Sequence, residues 1–292
     1  MPAAPKARYA VKAVLNSLHE SARVQRETEA HLHLRVSGHR GILTLHRVIR
    51  EKHFMYFVLD LCPSGDLFDA VSRGMYFRRL PDIKSIFLQL IDAVEHCHSL
   101  GIFHRDLKLE NILLKNQEGE PPHIVLSDFG LATEEIRAHD PIGSRMYMSP
   151  ECLACKSAIP DYDCAPNDVW SMGIILVILI LGNSAPWEVA SHACPIFWDY
   201  VKNAHDFFTA RYSMTAETNA LMTKVFELIP SDRISLRDLR PAVDALNEFI
   251  STPVEKNIMA LFRKMHRRSV CPLNTLLAPD LPVPHSPHTL CV

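Results

Sequence analysis

His104-Arg105-Asp106-Leu107-Lys108-Leu109-Glu110-Asn111, followed across an apolar, strand-like interval by Asp128-Phe129-Gly130, restricts this chain more than any other stretch. In a phosphoryl-transfer site each polar member has work to do. Asp106 can accept a proton from a substrate hydroxyl, and Lys108 can reach a transferring phosphate. Asn111 and Asp128 can hold magnesium ions from opposite sides. Either short motif alone arises by chance in many chains. Both together, in this order, are poorly explained by chance.

On these residues the chain resembles the eukaryotic serine/threonine protein kinases, from about Tyr9 to about Leu246. Lys108, two residues after Asp106, follows the serine/threonine pattern. The resemblance implies an α+β, two-lobed protein kinase-like fold. Residues 1–8 are a stub, 9–61 a partial β-rich upper lobe, 62–66 a hinge and 67–249 a larger, mainly α-helical lower lobe. Residues 250–292 form a C-terminal extension. It is expected to be disordered from about residue 267, where Pro272, Pro279, Pro282, Pro284 and Pro287 interrupt the chain.

Local patterns place the elements. Tyr9–Leu15, Ile42–Ile49 and Phe54–Leu61 read as strands, and residues from Glu20 to Val36 as a helix. Asp82 is expected to cap a helix carrying Ile83, Ile86, Phe87, Leu90, Ile91 and Val94, with Gly101 at its end. Ile112–Leu114 and Ile124–Leu126 read as short strands, and the chain from Asn167 to about Phe249 as mainly helical.

The family's site residues carry over position by position. Lys12, ending Ala10-Val11-Lys12, would contact the nucleotide α- and β-phosphates, held by Glu29; Glu27 falls two residues early. Asp106 would act as base or orienter, Lys108 and Asn111 would complete the catalytic set, and Asn111 with Asp128 would bind magnesium. Leu59 takes the gatekeeper position, the backbone of Asp60 and Cys62 would meet the adenine edge, and Asp66 would bond the ribose. His33, Leu45, His104 and Phe129 match a regulatory spine. Glu151, in Ser149-Pro150-Glu151, is expected to pair with Arg233, and Asp168 to anchor the catalytic-loop backbone. Gly143-Ser144 stands where relatives carry Gly-Thr ahead of the tyrosine matched by Tyr147. Asp140 is expected to pair with Arg105 in place of a phosphorylated threonine.

The resemblance implies ATP and magnesium as cofactors and serine or threonine hydroxyls of proteins as acceptors. Glu110 suggests a taste for basic residues near the acceptor. The run Leu34-Arg35-Val36-Ser37-Gly38-His39 and the ending Tyr147-Met148-Ser149-Pro150-Glu151-Cys152 resemble fungal kinases of the Ran type, which respond to nutrients and restrain meiosis. Only Met1 to Arg8 precede Tyr9, leaving no place for the family's glycine-rich loop and its two strands. The upper lobe is therefore expected to be short of two strands and to expose a sheet edge. A start placed too far downstream is preferred to a true loss, because the rest of the catalytic set is intact. The rival from another class is a pseudokinase that acts as a scaffold through protein binding. A small-molecule kinase is disfavoured by the peptide-docking segment Gly143–Glu151.

Bulk properties narrow the setting. A formal charge of -2 argues against nucleic-acid binding. The 8 cysteines are scattered, and without a secretory signal they point to free thiols in the cytoplasm or nucleus. Cys152 and Cys155 form a CxxC with no second pair at zinc spacing. The apolar run Ile174–Leu181 is too short to span a membrane and is expected to be a buried helix.

Overall fold

The computed structural model describes residues 8–16, 19–77, 79–115 and 120–251, together with the backbone of 289–291. In the upper lobe, β1 (Tyr9–Leu15), α1 (Glu20–Val36), β2 (Leu45–Arg50) and β3 (Phe54–Asp60) follow one another. β1 runs antiparallel to β3 from the pair Tyr9–Asp60 to the pair Leu15–Phe54, which sets Lys12 opposite Phe57. β2 and β3 form a hairpin closed by Glu51 N–H donating to Phe54 C=O at 2.9 Å. Its register slips between the pairs Leu45–Leu59 and Arg47–Val58, so His46 is the extra residue of a β-bulge.

The second strand starts at Leu45 and not at Ile42. Ile42 forms a parallel bridge to Leu126, and Leu43 N–H donates to Leu126 C=O at 2.9 Å, so this backbone is already committed to the lower lobe. Ala30 of α1 packs on Leu43, Leu45, Met55, Phe57, Leu59 and Val125 as a small upper core.

The free edge of β1 does not stay open along its whole length. β8 (Thr289–Cys291) lies antiparallel on it, pairing Ala10 with Cys291, Val11 with Leu290 and Lys12 with Thr289. The sheet order is β2-β3-β1-β8. Most of the segment expected to be disordered, 267–288 and Val292, lies outside the described residues, as do positions 1–7 of the stub.

The lower lobe is helical with short ribbons, so the architecture is α+β as expected. α2 (Leu67–Ser72) is capped by Asp66, whose carboxylate accepts from Asp69 N–H at 2.8 Å. α3 (Leu80–Ser99) starts two residues ahead of the expected cap. Pro81 fits its first turn, where no N–H is needed, and Asp82 sits inside that turn, 2.6 Å from Arg79. Its stripe Ile83, Ile86, Phe87, Leu90, Ile91 and Val94 is buried, and Gly101 at φ +70° turns the chain away.

β4 (Ile112–Leu114) and β5 (Ile124–Leu126) form a ribbon under the hinge, and β6 (Arg137–Ala138) pairs with β7 (Tyr162–Asp163). α4 (Pro150–Ala154) and α5 (Cys164–Leu181) follow, then α6 (Pro195–Asn203), α7 (Phe207–Tyr212), α8 (Ala216–Val225) and α9 (Leu236–Asp244). α5 is long and apolar enough to cross a membrane by length and composition, yet 89% of it is buried inside the fold. It serves as the central strut. A side chain at Gly173 would come within 2.4 Å of Val225, so glycine there lets α8 approach. Trp170 of α5 meets Trp187, Phe197 and Phe226 at ring separations of 5.8, 6.1 and 5.0 Å, a dense aromatic floor for the lobe.

Candidate active site

Alternation along β1 sends Lys12 inward, where its Nζ lies 2.7 Å from Glu29 Oε1 and 2.9 Å from Asp128 Oδ1. Glu27 turns to the outer face of α1 and grips Arg50 in a bidentate pair, with its shortest contact 2.7 Å. The two-residue difference therefore separates an inward carboxylate from an outward one on the same helix. Burial opposes the charge on Lys12, but Glu29 and Asp128 overcome it and raise its pKa. Crowding by the surrounding protein works against the Asp128 carboxylate although its side chain is 46% exposed, and the neighbouring ammonium more than offsets this, holding it below the usual range. For Glu29 burial wins, and its carboxyl is pushed up.

Asp128 itself adopts φ +59°, outside the usual range for a non-glycine residue. The next residue, Phe129, is fully buried, 4.8 Å from the His33 ring and 5.1 Å from the His104 ring. His33 Nε2–H donates to Leu43 C=O at 2.7 Å, and His104 Nε2–H to Ser127 C=O at 3.0 Å. A continuous stack therefore passes from α1 to the catalytic loop.

That loop is strained at Arg105, φ +63°, and is held in place from below. Fully buried Asp168 accepts the backbone N–H of His104 at 2.9 Å and of Arg105 at 2.8 Å. Its Oδ2 also accepts from His98 Nε2 at 2.9 Å. Asp106 Oδ1 accepts from both the N–H and the hydroxyl of Ser144, at 2.9 and 2.8 Å. Its Oδ2 lies 2.9 Å from Lys108 Nζ and 3.3 Å from Asn111 Nδ2. The Asn111 amide nitrogen also donates to the Asp106 carbonyl at 2.8 Å, which turns the amide oxygen the other way. Ser144 reaches Asp106 because Gly143, at φ +126°, presses on the loop; a Cβ there would sit 2.6 Å from Arg105 O.

The hinge-side residues occupy one stretch. Leu59 faces the upper core, Asp60 ends β3, and Cys62 is half-buried with its thiol pushed up to about 11 by burial. Asp66 spends one carboxylate oxygen on the cap of α2. Ser144, His98 and the partners of Asp60 described below were not assigned from sequence. Gly143-Ser144 offered a motif signal for the first of these. Nothing local marks His98, whose contact depends on where α5 passes.

A protein kinase domain matches residues 3–243. The chain belongs to the protein kinase family. It is 39% identical over 257 residues to the negative regulator of sexual conjugation and meiosis of Schizosaccharomyces pombe, covering 80% of this chain and 54% of that protein. Serine/threonine-protein kinase ksp1 of the same yeast is 34% identical over 75% of this chain and 47% of its own length. CBL-interacting protein kinase 26 of Oryza sativa subsp. japonica is 34% identical over 71% of this chain and 40% of its length. The chain thus spans about half the length of these relatives or less.

Two expectations for the segment from Asp140 to Glu151 met different outcomes. Asp140 pairs with Lys156 instead of Arg105, whose Nε–H is taken by Leu131 C=O at 2.8 Å. The Glu151–Arg233 pair forms as expected, with contacts of 2.6 and 3.2 Å. Arg233 also donates to the carbonyls of Glu227 and Pro166 and stacks over Trp170 at 4.9 Å. With its side chain fully buried, this guanidinium has acceptors on every side.

Proposed function

We propose that this chain is a serine/threonine protein kinase that transfers the γ-phosphoryl group of ATP to hydroxyls of protein substrates. One observation carries the reading: a single ammonium, Lys12, is bound at once by Glu29 at 2.7 Å and Asp128 at 2.9 Å. Kinase chemistry requires this lysine–glutamate pair and the metal-binding aspartate in place together. Lys12 would hold phosphate oxygens. Asn111, its amide oxygen turned from Asp106, and Asp128, its side chain 46% exposed, would hold magnesium. Two such donors suit an ion that keeps waters and takes its other ligands from phosphate. When bound, magnesium ATP supplies the phosphoryl group and the cationic charge that stabilises its transfer.

Asp106 would orient the acceptor hydroxyl and take its proton, and Lys108, 2.9 Å from Asp106, would lie against the transferring group. Leu59 with the backbone of Asp60 and Cys62 would border adenine, and Asp66 would meet the ribose with its remaining oxygen. Within this reading the chain is of the fungal Ran type, a reading supported by its similarity to the fission yeast regulator. It works in the cytoplasm or nucleus. The charge of -2 and the buried α5 support a protein partner over nucleic acid or membrane.

The test is phosphorylation of a generic protein substrate by wild type and Asp106→Asn, with melting curves in magnesium ATP. Expected are a loss of about 10²- to 10⁴-fold in the variant and a rise in wild-type melting temperature, since a ligand of the native state stabilises it. No melting shift and no Asp106-dependent phosphorylation would hand the fold to the scaffold reading.

A further inference from the structure

The bulge in β2 has a target. As the extra residue between Leu45 and Arg47, His46 is turned onto the end of β3, and its Nε2 lies 2.6 Å from Asp60 Oδ1. The other oxygen of the same carboxylate, Oδ2, lies 2.6 Å from Lys115 Nζ. Lys115 belongs to the lower lobe: it follows β4, and its backbone N–H donates to His123 C=O at 2.9 Å. One carboxylate at the mouth of the hinge is thus gripped from the upper sheet and the lower ribbon together. Asp60 N–H is held as well, by Thr44 C=O at 3.1 Å.

We propose that His46 and Lys115 are positioning residues that fix Asp60 at the nucleotide edge. The proposal rests on the kinase reading, in which the Asp60 backbone borders adenine. Because Asp60 is ionised, the bonds from His46 and from Lys115 are both charge-assisted, about twice as strong as bonds between neutral groups.

Burial works against the Asp60 carboxylate, but its bonds to Lys115, His46 and Thr44 hold it below the usual range, so it stays ionised. The Cys62 thiol, pushed up to about 11, stays neutral. From β1 the Tyr9 ring meets His46 edge-on at 4.9 Å and steadies it from a third strand. The His46 and Asp60 side chains are 37% and 23% exposed, so solvent limits the effect.

Adenosine is the probe, because it presents the adenine edge and carries no phosphate to titrate. Its affinity is measured by calorimetry for wild type, His46→Leu, His46→Gln and Lys115→Met. His46→Leu and Lys115→Met should each bind about two- to fivefold more weakly than wild type. His46→Gln, which keeps a donor for Asp60, should bind close to wild type. In turnover assays His46→Leu and Lys115→Met should raise the KM for ATP and leave kcat within about twofold. Unchanged adenosine affinity in both of these variants overturns this inference and leaves the kinase reading standing. A wild type that binds no adenosine overturns it as well, and the kinase reading is then decided by the magnesium ATP melt and the Asp106 variant.

Discussion

His33 shows how a single buried side chain can carry a pH dependence. It is 3% exposed, and burial drives its pKa from the usual 6.5 to about 4, the bond to Leu43 C=O notwithstanding. The folded chain therefore takes up this proton less readily than the unfolded one. The stability it contributes is complete above pH 6.5, is lost as pH falls towards 4, and changes no further below that. The loss amounts to about 3 kcal/mol. In melts between pH 7 and 4, His33→Leu should show a shallower fall than wild type, whatever its starting stability; parallel curves would show that His33 does not carry the slope. Sequence register was enough to pick Glu29 over Glu27, because helical geometry separates inward from outward positions two residues apart. It was not enough for His46, since a bulge has no local mark in Leu45-His46-Arg47. Asp140 misled for a similar reason. Its carboxylate can reach more than one cation, and the placement of Lys156 decides which.

Among elements, the tie between α4 and the turn Pro230–Asp232 bears on stability most directly. Glu151 and Arg233 are almost fully enclosed, so cutting the pair from one side strands a charge. Glu151→Ala should cost about 3–5 kcal/mol in denaturant melts. Adding Arg233→Leu should cost less than the sum of the two single changes, because the second removes a charge the first left unpaired. Simple additivity would mean that the two side chains act independently. Motif order made this pair legible in advance. Helix starts were less so: Asp82 has a capping residue's chemistry, but Pro81 fits the first turn, and α3 begins at Leu80. The strand expected from Ile42 failed at its start for a tertiary reason, since backbone shared with Leu126 cannot also pair with β3.

On the scale of the molecule, the two lobes rest on unequal cores. Ala30, Leu43, Leu45, Met55, Phe57, Leu59 and Val125 hold the upper sheet, whereas the lower lobe buries α3 and α5 among tens of apolar residues. Amides of β1 and β3 should therefore exchange hydrogen through partial opening at least about tenfold faster than those at the centre of α5. Equal protection in native-state exchange would mean that the lobes open as one unit. The two-lobe plan was readable because the catalytic motifs fall in fixed order. The antiparallel return of Thr289–Cys291 to β1 was not, because proline spacing says nothing about where a chain's far end settles. The burial of α5 reaches back to the making of the protein. Residues 164–181 leave the ribosome before α8 and α9 exist to cover them, and from Met172 to Leu181 they are apolar on every side. For that interval the nascent chain presents a helix with the hydropathy of a membrane anchor. Its yield in a cell is then set by how quickly a chaperone, and afterwards the last third of the chain, takes that helix out of water.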